Sequence, residues 1–94
     1  MNVKVQYFAI VRELVNLREE VLNLKDGITV LELLAFLSSK HEKLKEYIID
    51  PKTGEPRTSI QYLLGDKLIS ALNGFSTTLQ DGNVFAIIPP VGGG

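Results

Sequence analysis

Ile28-Thr29-Val30-Leu31-Glu32-Leu33-Leu34-Ala35-Phe36-Leu37 carries the strongest local structure signal in the chain. Thr29 and Glu32 have the Thr-x-x-Glu spacing of a capping box, in which each side chain satisfies a backbone N–H left open by the first helical turn. Ile28 and Leu33 occupy the two positions of a hydrophobic staple around that box. The spacing predicts a helix from about Val30, with Val30, Leu33, Leu34 and Leu37 at i, i+3, i+4 and i+7 forming one apolar stripe. Such a stripe needs a second layer to cover it, and the flanking sequence supplies strands.

On the N-terminal side, residues 2–10 alternate at a period of two, with Val3, Val5, Tyr7 and Ala9 on one face and Lys4, Gln6 and Phe8 on the other. Phe8 is the exception on the polar face, where a large aromatic serves a partner or is covered by a neighbouring strand. A second strand is predicted near Glu19–Lys25 with Leu22 and Leu24 inward, joined to the first as an antiparallel hairpin through Arg12–Leu17. Asp26-Gly27 turns the chain into the helix.

On the C-terminal side, Ser39 and Glu42 repeat the capping-box spacing. The chain either breaks near Ser38-Ser39 and restarts as a short helix with Leu44 and Ile48 inward, or runs on as one helix. Asp50-Pro51-Lys52-Thr53-Gly54-Glu55-Pro56 is dense in turn formers and reads as an exposed loop. Ser59–Leu64 and Lys67–Ala71 flank Gly65-Asp66 as a tight hairpin, and Asn73-Gly74 and Asp81-Gly82 mark further turns. Val84–Ile88 is apolar throughout, which suits a strand with both faces covered or a partner docked outside. The order of elements is α+β, one sheet over one principal helix, with the last strand parallel to the first if the two are neighbours.

Composition narrows the function. The 94 residues make one domain, residues 1–88, followed by a tail, residues 89–94. Without cysteine, thiolate zinc sites and persulfide chemistry on the chain itself are excluded. Ten Lys and Arg against eleven Asp and Glu leave a net charge of −1, so no nucleic-acid partner is expected. The N-terminus has no apolar segment behind a basic start and no apolar run approaches a bilayer span, so no membrane association and a cytoplasmic location are expected. His41 is the one histidine, with neither a nucleophile motif nor other ligands beside it, so neither a metal site nor side-chain catalysis is expected.

The chemistry that remains is in Pro89-Pro90-Val91-Gly92-Gly93-Gly94. Two prolines set an extended direction and three glycines follow without side chains, giving a thin probe that spans roughly 20 Å when extended. Its tip is expected to be the α-carboxylate of Gly94. A carboxylate is a weak electrophile until ATP converts it to an acyl-adenylate, after which sulfide or an amine can attack the carbonyl carbon.

Three stretches together resemble the MoaD/ThiS superfamily of ubiquitin-like β-grasp sulfur carriers, and within it the small subunits of molybdopterin synthase. They are Lys4-Val5-Gln6-Tyr7-Phe8-Ala9-Ile10-Val11-Arg12-Glu13-Leu14, Thr29-Val30-Leu31-Glu32-Leu33-Leu34, and Asp81 through Gly94, the last with its Asp-Gly turn, apolar strand, Pro-Pro-Val and glycines. The resemblance implies a β-grasp fold, a mixed sheet on one principal helix. It implies a cycle in which an E1-like adenylating enzyme uses ATP and magnesium to adenylate Gly94 and a persulfide donor converts the adenylate to a thiocarboxylate. The tail then enters the large subunit of molybdopterin synthase and gives sulfur to a pterin precursor of the molybdenum or tungsten cofactor. In that scheme the chain binds no cofactor of its own and is a non-catalytic sulfur donor, Gly92 and Gly93 thread the partner's channel, and Phe8, Ile88, Pro89, Pro90 and Val91 meet partners. The alternative within the same chemistry is a ubiquitin-like modifier, in which a target lysine attacks activated Gly94. A thiamin-pathway carrier and a β-grasp interaction module whose tail is never activated complete the range.

Overall fold

Asn2–Tyr7 (β1) and Glu19–Asn23 (β2) pair antiparallel, with Val3 opposite Leu22 and Val5 opposite Glu20. The alternation of β1 sets its faces: Val3, Val5 and Tyr7 are fully buried, while Lys4 and Gln6 point the other way and are half-buried. The strand stops at Tyr7, three residues earlier than its alternation predicts, and Ala9 is exposed. The reason is a turn at Ala9, whose φ of 52° ends extended pairing.

The connection between β1 and β2 holds a short helix, Ile10–Val15 (α1), where the sequence reading has a loop. Val11 and Val15, four apart, are its buried face, and Asn16 closes it in the left-handed conformation with its N–H on the Arg12 carbonyl. Asn after a valine pair spaced i, i+4 was the available signal.

Val30–Lys40 (α2) starts at the predicted place with the complete capping box: Glu32 N–H reaches Thr29 Oγ1 at 3.3 Å and Thr29 N–H reaches Glu32 Oε1 at 3.0 Å. Val30, Leu33, Leu34 and Leu37 are all fully buried. Glu42–Ile48 (α3) follows after a break at His41, so the chain does restart, two residues later than the Ser39 spacing suggests. Leu44 and Ile48 are its buried residues.

Gln61–Leu64 (β3) and Lys67–Leu68 (β4) form the Gly65-Asp66 hairpin, but its second arm is two residues long, because Ile69–Ala71 turns into a 3-10 helix. Val84–Ile88 (β5) lies between β1, to which it is parallel, and β3, to which it is antiparallel. The sheet order is β2-β1-β5-β3-β4, with the apolar closing strand at the centre. The turn-rich Asp50–Pro56 segment is mostly exposed and is pinned at its base by a bridge between Ile49 and Pro56. This is a mixed five-stranded sheet with helices on one face, the ubiquitin-like β-grasp architecture. The structure, a computed structural model, describes residues 1–90.

One polar cluster ties the layers together. Glu20, on the inward side of β2, accepts from Tyr7 Oη at 2.5 Å and Lys40 Nζ at 2.5 Å, and its Oε2 lies 2.7 Å from His41 Nε2. Burial pushes the Glu20 carboxyl up, but the bonds from Lys40, Tyr7 and His41 and the Lys40 charge outweigh it and hold the group below its ordinary value. Burial, reinforced by the Glu20 contact and charge, pushes the Tyr7 phenol above its ordinary value. A carboxyl depressed in the folded state contributes stability that is present above its unfolded value and lost as pH falls through its folded value. Glu20→Gln is therefore predicted to cost about 1–3 kcal/mol at neutral pH and to flatten the acid limb of stability. Urea titrations at several pH values check both, and an equally steep acid limb in the variant would refute the assignment.

Candidate docking face and tail exit

All helices lie on one side of the sheet, and no described element covers the other. By register, Lys4 is opposite Val21 on one side and Val84 on the other, Gln6 is opposite Ala86, Leu63 is opposite Ala86 and Leu68, and Gln61 is opposite Ile88. These residues share the open face. Val21 is 61% exposed and Leu68 40% exposed, while Val84, Leu63 and Ile88 are half-buried and Ala86 is buried among its neighbours. An apolar stripe thus crosses the centre and far edge of an open sheet, with Lys4, Glu19 and Gln61 at its borders. A contiguous patch of this kind marks an interaction surface.

Phe8 stands at one end of the stripe. Tyr7 pairs with Ile87, so Phe8 and Ile88 leave the same end of adjacent parallel strands. Phe8 is 36% exposed, and the Arg12 guanidinium lies over its ring with Cζ 5.9 Å from the centroid. Arg12 is fixed there by its Nε donating to the Tyr7 carbonyl at 3.1 Å. Between them Ala9 holds φ 52° and ψ −129°, a conformation that L residues rarely adopt. The positive φ at Ala9 costs on the order of 1–3 kcal/mol, and it turns the chain so that Phe8 is left at the rim and not continued into a longer strand.

The same end of the sheet releases the tail. Pro89 is buried and Pro90 half-buried, directly after β5. Val91, Gly92, Gly93 and Gly94, named from the sequence as partner-contacting, threading and reacting residues, lie outside the described residues. Of the predicted contact residues, Phe8 and Ile88 lie at one end of the open face, whereas Pro89 is buried against the core and so is not exposed to a partner, and Pro90 borders the side of α3. Sequence reasoning did not single out Val21, Leu63 and Leu68, although the alternation of Leu63 with buried Tyr62 carried the signal once the hairpin was recognised. Among the described residues no group of His, Asp and Glu is placed to hold a metal ion.

A family profile described as the ThiS family matches residues 5–94. The chain belongs to the ThiS family. As a ThiS-family chain it is 29% identical over its full length, and over the full length of the relative, to small archaeal modifier protein 3 of Haloferax volcanii. It is 31% identical, again over the whole of both chains, to a molybdopterin synthase sulfur carrier subunit of Chlamydomonas reinhardtii. Its fold superimposes on the solution structure of small archaeal modifier protein 1 from Methanosarcina acetivorans with a TM-score of 0.87 and 33% identity, covering 99% of this chain and 96% of that one. ThiS-family membership makes this chain one of the ubiquitin-like small sulfur carriers and modifiers. Among the described residues, no helix is long and apolar enough to cross a membrane.

Phe8→Asp tests the docking face directly. Phe8 is partly exposed and lies beyond the last residue of β1, so a charge there is predicted to cost less than about 1 kcal/mol of stability and to weaken partner binding at least tenfold. Calorimetric titration against the partner, beside thermal unfolding of the free chain, separates the two. A collapse of the fold would mean that the ring is a core residue.

Proposed function

We propose that this chain is the sulfur carrier of a molybdopterin synthase, delivering sulfur as a thiocarboxylate on Gly94. The observation that carries the reading is that Pro89-Pro90, which begin the Pro-Pro-Val-Gly-Gly-Gly segment, follow the central strand β5 at the same end of the sheet as Phe8 and the apolar open face. A partner that grips the face receives the tail at a fixed distance from the grip, which makes the reaction at its tip effectively intramolecular. The similarity to a molybdopterin synthase sulfur carrier subunit supports the pterin as acceptor.

In the proposed cycle a carboxylate oxygen of Gly94 attacks the α-phosphorus of ATP in an E1-like adenylating enzyme, with magnesium, and pyrophosphate leaves. The outer sulfur of a persulfide donor then displaces AMP at the carbonyl carbon to give an acyl disulfide. A second thiol of the partner machinery attacks the donor's sulfur, leaving a disulfide on the partner and the thiocarboxylate on Gly94. The thiocarboxylate next passes to the pterin precursor in the large synthase subunit, and the glycine run allows it through a channel that a Cβ would obstruct. This chain's own contribution is positional: the core fixes the sheet, the sheet fixes the face and the tail root, and partners supply the catalysis.

The likeness to two small archaeal modifier proteins supports a second reading, in which a lysine amine of a target protein displaces AMP and leaves an isopeptide bond at Gly94. Intact mass after incubation with the adenylating enzyme, ATP and a persulfide source separates the two. Replacement of one oxygen by sulfur at Gly94, undone when the large subunit and pterin precursor are added, is the expected result. Adducts between Gly94 and protein lysines, with no pterin product, would give the chain to the modifier class instead.

A further inference from the structure

At the foot of the tail, on the side of α3, lies a cavity of about 290 Å³ lined by Glu46, Tyr47, Arg57, Ser59, Ile60 and Pro90. Arg57 is held there at three points. Its backbone N–H donates to the Ile48 carbonyl at 2.7 Å, its Nε donates to the Tyr47 carbonyl at 3.1 Å, and its own carbonyl accepts from Tyr62 Oη at 3.4 Å. The first two bonds satisfy carbonyls that the last turn of α3 leaves open, which accounts for the backbone and Nε. They use one of the five N–H groups of the guanidinium. Among the described residues Arg57 forms no ion pair, and its Nη groups donate no hydrogen bond. A guanidinium already fixed in place, with its two-pronged end unused, suits a carboxylate and loses little freedom on binding one.

Position decides whose carboxylate. Pro90 is a wall of this cavity, and Gly94 is only the fourth residue beyond it, a reach of roughly 13 Å when extended. Any protein that draws Gly94 into its active site must therefore close over Pro90 and the groove beside it. We infer that this groove is a carboxylate-binding site that receives an acidic side chain of the enzyme that adenylates the tail. The inference rests on the reading that Gly94 is activated, and it holds for carrier and modifier alike. Glu46, on the exposed side of α3 and lining the same groove, opposes an acidic visitor and sets the strength of the contact.

The test is ATP–pyrophosphate exchange by the cognate adenylating enzyme, with the full-length chain as varied substrate. Arg57→Gln is expected to raise KM about tenfold with kcat within about twofold of the parent. Arg57→Lys should recover only part of the loss, because an ammonium cannot make the bidentate contact. Glu46→Gln, at an exposed position outside the core, should lower KM, and this variant keeps the test decisive if Arg57→Gln loosens the end of α3. No exchange with the parent chain overturns the activation reading and this inference together. Exchange with KM unchanged in Arg57→Gln and Glu46→Gln overturns the inference alone. A lower KM in Arg57→Gln also overturns it, because the groove would then be holding the chain's own terminal carboxylate.

Discussion

Deleting Gly94, or adding one residue after it, is expected to abolish adenylation while leaving the thermal midpoint where it was. Deletion withdraws the carboxylate by roughly 3.3 Å, and a misplacement of even 1 Å at a reacting centre costs on the order of 100-fold in rate. Extension replaces the carboxylate by an amide and moves the new terminus past the reacting position. Neither change touches the core, whose last fully buried strand residue is Ile87. The check is pyrophosphate exchange beside thermal unfolding for both variants. A variant that still exchanges would mean that chemistry does not occur at Gly94, and one that melts early would mean that the tail is part of the folded core.

Phe85→Ala is expected to have the largest effect on stability. Phe85 is fully buried in the central strand, stacks on Tyr62 with ring centroids 6.1 Å apart at 13°, and belongs to the same buried core as Leu33, Leu34 and Leu37 of α2. Removing a ring of that size from a close-packed site costs about 3–5 kcal/mol, out of a total of about 5–15 kcal/mol for a domain. Urea unfolding should show the midpoint falling by a large fraction with the slope unchanged. Leu68→Ala, on the open face, is the control: it should leave the midpoint within about 0.5 kcal/mol of the parent yet weaken partner binding. If the two variants lose equal stability, the face described as open is packed against something.

The readings that held have a common physical basis. The capping box at Thr29 and Glu32, the i, i+4 stripe of α2 and the alternation of β1 are local patterns that bury the same residues in any compact arrangement. Where the reading went astray, distant groups intervened. The α2 helix runs through Ser39 to Lys40 and breaks at His41, where Glu20, twenty and twenty-one residues away in sequence, holds Lys40 and His41 together. Strand β1 ends at Tyr7 because Arg12 grips the Tyr7 carbonyl and the chain turns at Ala9, against the preference of an alanine. The short helix α1 was hidden because six residues carry too little periodicity to stand out without the core that Val11 and Val15 enter.

The candidate site divides in the same way. The expectation for the tail rested on local composition: no cysteine, no catalytic set, two prolines and three glycines. Phe8 and Ile88 were legible because a period of two assigns a face without knowledge of the partner strand. The complete docking face was not, because Val21, Leu63 and Leu68 join Ile88 only through the order β2-β1-β5-β3-β4, which brings strands from both halves of the chain side by side. Nor was the Arg57 groove, whose walls come from α3, the segment before β3 and the end of β5, and meet only when the sheet closes. By itself, then, the sequence determined the capped start of α2, its buried face and that of β1, since these depend on neighbours within a few residues. Tertiary structure alone decided which strands are adjacent, where α2 breaks and what surrounds the foot of the tail, because those outcomes depend on contacts between residues far apart in the chain.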